Sequence, residues 1–166
     1  MSERDDPIFD PKTWGLTEQQ EKLSTLARNL GQDKLHPRAV KYDREAIFPT
    51  ENYQDFAAEG LMGIAIPTEY GGHGADYKTY MLTAAEIGRY CGATALTFNM
   101  HVSSCLWSGS LLDGLDIPDD VRAEHHENRA IHYRRILDDG AIYAQPFSEG
   151  GAAAAGSVVD GGGLLW

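Results

Sequence analysis

Apolar residues first recur at helical spacing once the chain is past residue 16. Leu23, Leu26, Ala27 and Leu30 stand three or four apart and fall on one helix face. Thr17, with Gln20 three residues on, reads as a capping box at its start. Gly31 and Pro37 interrupt the pattern and predict a kink or a helix–helix break. Ala39, Val40, Ala46 and Ile47 then continue an apolar face up to Pro49, which ends the segment. Thr50 offers the next N-cap, with Glu51 near the positive helix end, Tyr53, Phe56 and Ala57 facing inward, and Gly60 as the stop.

Residues 61–67 are apolar, too short for a globular helix and closed by Pro67, so they predict an extended, buried connector. The glycine-rich stretch 70–74 is a turn, and Asp76 opens a third helix whose buried side is Met81, Leu82, Ala85 and Ile87. The fourth helix carries Leu96, Phe98, Met100, Val102, Leu106 and Trp107 on most sides, which places it centrally. Pro118 stands at the first turn of a fifth helix, with Val121, Ala130, Ile131, Ile136 and Leu137 apolar and Gly140 as its end. Residues 141–145 read as a strand, followed by a Gly and Ala run to Gly156. The expected organisation is an irregular arm over 1–15, a helical domain over 16–139 and the start of a β domain over 140–166.

Charge narrows the partners. A net charge of -11 argues against nucleic acid, because phosphate binding needs clustered Lys and Arg. Two cysteines, Cys91 and Cys105, are too few for a disulfide framework or a zinc site, and read as reduced thiols of a cytoplasmic protein. No signal-peptide core opens the chain, and no apolar run is long enough to span a bilayer. Gly71, Gly72 and Gly74 do not follow a strand in a βαβ unit, which disfavours a phosphate loop. Glu124, His125, His126, Glu127 and His132 are metal-ligand residue types, yet a solvated helix face explains them better than a zinc-hydrolase spacing. No serine sits in a Gly-x-Ser-x-Gly elbow.

Four segments in order resemble the acyl-CoA dehydrogenase family: residues 36–49, residues 60–72 ending in Pro67-Thr68-Glu69-Tyr70-Gly71-Gly72, residues 85–94 followed by His101, and residues 140–151. The resemblance covers roughly residues 16 to 156. It implies FAD, oxidation of an acyl-CoA thioester at the Cα–Cβ bond, and a homo-oligomer. The electron acceptor implied is an electron-transfer flavoprotein or oxygen. The family pattern is a helical domain, a β domain and a second helical domain, which holds the carboxylate base; no catalytic residue is therefore expected in this chain. Ser148 matches the threonine whose hydroxyl faces the flavin, Phe147 its apolar neighbour, and Gln145 begins the same stretch. Gly150 stands for the usual proline, and Ala153-Ala154 replace a Gly-Ser pair, so one serine hydroxyl is missing. Phe98, Met100 and His101 are candidates to line the acyl pocket by the same resemblance, although a histidine on an apolar helix also reads as a satisfied core residue. Residues 158–165 resemble a later hairpin whose partner strands are absent, which predicts a fragment or a disrupted reading frame. The competing expectation is a non-catalytic helical interaction or assembly module.

Overall fold

The computed structural model describes residues 6–110 and 113–144 of the 166-residue chain. They are mainly helical: α1 (Glu18–Leu30), a π turn (Gly31–Leu35), α2 (His36–Glu45), α3 (Thr50–Ala58), two 3-10 turns (Leu61–Gly63 and Thr68–Tyr70), α4 (Tyr77–Tyr90), α5 (Gly92–Ser110) and α6 (Asp119–Asp139). Local signals set most ends. Gln20 N–H donates to Thr17 Oγ1 while Thr17 N–H donates to Gln20 Oε1, closing the capping box. Asp76 caps α4 by accepting from Thr79 N–H at 2.7 Å, and Gly140 ends α6 in the left-handed conformation. Pro49 and Pro118 occupy the cap positions of α3 and α6, one residue outside the helices, and Thr50 is the first helical residue rather than the cap.

The kink or break expected at Gly31 takes the form of a single π turn between α1 and α2. His36 N–H reaches back to Gly31 O, and Pro37, which has no N–H to give, follows directly on that widened turn. Gly31 keeps helical angles, and its role is space: a Cβ there would lie 2.2 Å from the Tyr90 ring at the end of α4. Of the apolar face expected from Ala39 to Ile47, only Ala39 packs in part against the core. Val40 and Ile47 are exposed, Ala46 takes the left-handed conformation, and Tyr42 is the side chain that packs inward.

Residues 61–67 are buried as expected but coiled rather than extended. Gly63, Ile64 and Ile66 N–H groups each bond three residues back. The remaining main-chain needs are met sideways, by His73 N–H on Gly63 O, Gly74 N–H on Ile66 O and Ala75 N–H on Ile64 O. Gly72 makes that approach feasible, since a Cβ on it would sit 2.2 Å from Ile66 O. Around this coil gather Leu23, Ala27, Leu35, Phe56, Ile87, Phe98, Val102 and Ile136, with Phe56 edge-on to Phe98 at 5.3 Å.

Met81, expected on the buried side of α4, and Leu96 on the central helix α5 are exposed, as are Val121 and Ile131 among the apolar residues of α6. The side chains of Leu106 and Trp107 lie outside the described set. Residues 141–144 leave the helix without pairing to a strand among the described residues, so the expected β segment is not seen there; its continuation from 145 lies outside them.

Polar groups occupy part of the interior. Glu86 on α4 is 1% exposed, yet it is answered on all sides. Arg89 donates to Oε2 at 3.3 Å, Arg28 of α1 stands 3.8 Å from Oε1, and Ile8 N–H of the N-terminal arm donates to Oε1 at 2.9 Å. Arg89 also holds Asp6 O, so the arm is pinned at two main-chain points. Buried Asn52 donates to Thr94 Oγ1 and accepts from Arg38, which also pairs with Asp55 at 2.6 Å, joining α2, α3 and α5.

Two outcomes are expected from this packing. Gly31→Ala should destabilise the chain by about 1–3 kcal/mol through the Tyr90 clash, outweighing the better helix propensity of alanine. A lowered urea midpoint checks it, and an unchanged or raised midpoint refutes the close-approach argument. Glu86→Gln should cost about 1–3 kcal/mol and accelerate proteolytic nicking in residues 6–16, because the arginines lose their charged acceptor. Equal nicking rates in the two proteins would show that Glu86 does not hold the arm.

Candidate functional site

The described part of the chain ends against α5, α6 and the Leu61–Gly63 turn, and one histidine joins α5, that turn and the chain end. His101, on α5, is fully buried. Its Nδ1 accepts from Tyr143 N–H at 3.0 Å, and its Nε2 lies 2.9 Å from Met62 O. An amide can only donate and a carbonyl can only accept, so Nδ1 is bare and Nε2 carries the proton. Burial pushes the His101 pKa below its ordinary value of 6.5, with the Met62 carbonyl opposing in part. Cys105, one turn on, has its sulfur 4.0 Å from Nε2, and burial pushes its thiol up to about 12. The pair around the imidazole is therefore uncharged at neutral pH.

Tyr143 is held a second time. Its hydroxyl is 2.6 Å from His132 Nδ1 on α6, with the two rings edge to face at 5.5 Å. The helix α6 places its inward side chains at Arg129, Tyr133 and Ile136, at the spacing of one helix stripe. Arg129 donates to both carboxylate oxygens of Asp113, at 3.0 and 2.9 Å, and to His126 Nδ1 at 2.7 Å. It also lies over the Tyr70 ring, which meets Tyr133 edge-on at 5.1 Å. Burial pushes the Tyr133 phenol up to about 12. These contacts seat α6 on the turn Thr68–Tyr70 and aim the chain beyond Gly140 across His101.

The structure treats the sequence candidates unequally. Phe98 is fully buried against Phe56, Met100 is half-buried, and both His101 ring nitrogens are engaged on main-chain atoms. Gln145, Phe147 and Ser148 lie outside the described residues. Among the described residues no three His, Cys, Asp or Glu side chains are placed to hold a metal ion. No described helix is long and apolar enough to cross a membrane. Two surface hollows, of about 330 Å³ beside Glu18, Gln19, Lys22, Leu23 and His73, and of about 190 Å³ beside Lys41, Tyr42, Ile47, Phe48, Thr50 and Glu51, lie apart from His101. Tyr143, His132 and the Met62 carbonyl were not anticipated from sequence. The family resemblance and a histidine on an apolar helix both point to His101, and neither names its partners.

Comparison with known proteins agrees with the helical fold. Residues 17–111 match the model of the acyl-CoA dehydrogenase N-terminal domain. An acryloyl-CoA reductase (NADH) from Anaerotignum propionicum is 39% identical over 89 residues, which cover 54% of this chain and 23% of that protein. A short-chain specific acyl-CoA dehydrogenase from Clostridium acetobutylicum is 33% identical over 92 residues, covering 55% of this chain and 24% of the relative. The fold is similar to that of a solved structure described as an electron transferring flavoprotein of Acidaminococcus fermentans, with a TM-score of 0.60 at 22% identity over 76% of this chain and 30% of that one. The matching segment thus spans about a quarter of the length of the curated relatives. A family model matched over more than half of the sequence, on the helices that surround the buried coil, shows that this chain belongs to the acyl-CoA dehydrogenase family.

Proposed function

We propose that the protein to which this chain contributes carries out FAD-dependent oxidation and reduction at the Cα–Cβ bond of an acyl-CoA thioester. The observation that carries the reading is the family match over residues 17–111. The names of the two curated relatives, a dehydrogenase and an acryloyl-CoA reductase, concern opposite directions at one type of bond. We favour the oxidative direction, with an electron-transfer flavoprotein or oxygen as acceptor and a homo-oligomeric assembly. When bound, FAD supplies the hydride acceptor. Its expected contacts are Gln145, Phe147 and Ser148, which begin two residues after Tyr143.

The described residues suit that cofactor in their chemistry. The last of them carry Tyr143, half-buried and edge-on to His132, above the buried and uncharged His101 and Cys105, and half-buried aromatic rings of this kind are compatible with a planar isoalloxazine. Within this reading the chain's own residues position and exclude water. Phe98 and Phe56 keep the interior behind the site dry, and Met100, half-buried, is the pocket candidate best placed to touch an acyl chain. Abstraction of the α proton is assigned to the carboxylate base of the later helical domain that the family pattern includes.

The test is to tag the protein at its own locus, purify it from its own cells and record its visible spectrum before and after adding acyl-CoA thioesters of graded length. A flavin spectrum that survives gel filtration and bleaches with one length class is the expected outcome. A colourless, folded protein that takes up no FAD would instead support a helical assembly module.

A further inference from the structure

We infer that His101 is a positioning residue, whose single permitted tautomer clamps the main chain at Tyr143 and so fixes the direction in which the chain leaves the helical domain. The inference rests on the flavin reading for its consequence and on geometry alone for the clamp. Three elements meet at one imidazole: α5 carries it, Met62 O takes its Nε2 proton, and Tyr143 N–H fills its Nδ1. Neither partner can reverse its role, so rotating the ring or moving the proton breaks both bonds together. The Tyr143 side chain is tied independently to His132, which leaves the main-chain bond as the specific contribution of His101. Two residues further on lies Gln145, where the flavin contacts are expected to start. A main chain fixed at Tyr143 reduces the ordering cost of that stretch when the cofactor arrives.

Protonation has a definite effect on such a clamp. An imidazolium presents N–H at both nitrogens, so Nδ1–H would face Tyr143 N–H with no acceptor between them. The titratable groups on this side are Cys105 on the same helix, Tyr133 and His132 on α6, and Tyr143 itself, with the Arg129–Asp113 pair beyond Tyr133. Cys105 and Tyr133 are pushed up to about 12 and stay neutral. The folded pKa of His101 is below 6.5 and the unfolded one is at 6.5, so the unfolded or released form takes up the proton first. The clamp is therefore at full strength above pH 6.5 and weakens as pH falls below it.

Two substitutions separate the clamp from simple core filling. In His101→Asn the side-chain oxygen stands as many bonds from Cα as Nδ1 and can accept from Tyr143 N–H. In His101→Gln the amide nitrogen stands at the Nε2 distance, so the bond to Met62 O survives and the one to Tyr143 is lost. Hydrogen exchange of the Tyr143 amide, corrected for its intrinsic pH dependence, is expected to accelerate at least about tenfold in His101→Gln, equivalent to about 1.4 kcal/mol. In His101→Asn it should stay near the parent value. Exchange should also rise below pH 6.5 in the parent protein and remain flat in His101→Asn. FAD affinity, read by flavin fluorescence on the protein as purified from its own cells, should fall in His101→Gln and hold in His101→Asn. Equal Tyr143 exchange in both variants overturns the clamp. A protein that binds no FAD yet shows the exchange difference keeps the clamp and removes the flavin reading. Altered exchange with equal FAD affinity in the two variants shows that the clamp does not serve the cofactor, and overturns the positioning role.

Discussion

A stretch of short 3-10 turns and bends runs through the core of this molecule, and its buried main-chain groups have to find partners away from water. Residues 61–75 solve this by folding back on themselves, with Ile64 and Ile66 carbonyls answered by Ala75 and Gly74 amides. The rest of the packing follows from that coil. Gly72 has no Cβ because the Ile66 carbonyl occupies its place. Met62 O, facing α5, takes the only proton His101 can give. Gly63 lies so close to Leu137 that α6 can settle directly on the turn. An unpaired buried carbonyl costs about 1–3 kcal/mol, so these pairings act as requirements rather than decoration.

Buried charge follows the same rule by a different route. Glu86 is tolerated under α1 and α4 because two arginines and a main-chain amide surround it. The consequence is that the N-terminal arm is recruited to satisfy the interior, and its path is fixed by an electrostatic need rather than by apolar contact. Asn52 plays a comparable part between α3 and α5, and Arg38 reaches it from α2.

The site was legible in sequence only as a location. The family resemblance names His101 as a pocket candidate and its apolar helix names it as a core residue, and the structure engages both its nitrogens on main chain. Its partners were illegible because Met62 and Tyr143 are 39 and 42 residues away and contribute backbone atoms, which no residue type advertises. His132 was dismissed within a histidine run on a solvated face. Its value comes from facing Tyr143, a pairing that depends on the seat of α6 on the coil.

What the sequence determined by itself is local. Helix starts at Thr17 and Asp76 and the stop at Gly140 are readable because cap and backbone lie within one turn of each other. Family membership is likewise written in the order of short motifs. Tertiary structure decided the remainder. It gave the kink or break expected at Gly31 the form of a π turn, and it set that glycine against Tyr90 some sixty residues on. It coiled the expected extended connector, and it exposed Val40, Met81, Leu96, Val121 and Ile131 while burying Glu86, Asn52 and Arg129. Hydrophobic period locates a helix but not the rotation of its face, which is set by whatever the neighbouring elements bring to it.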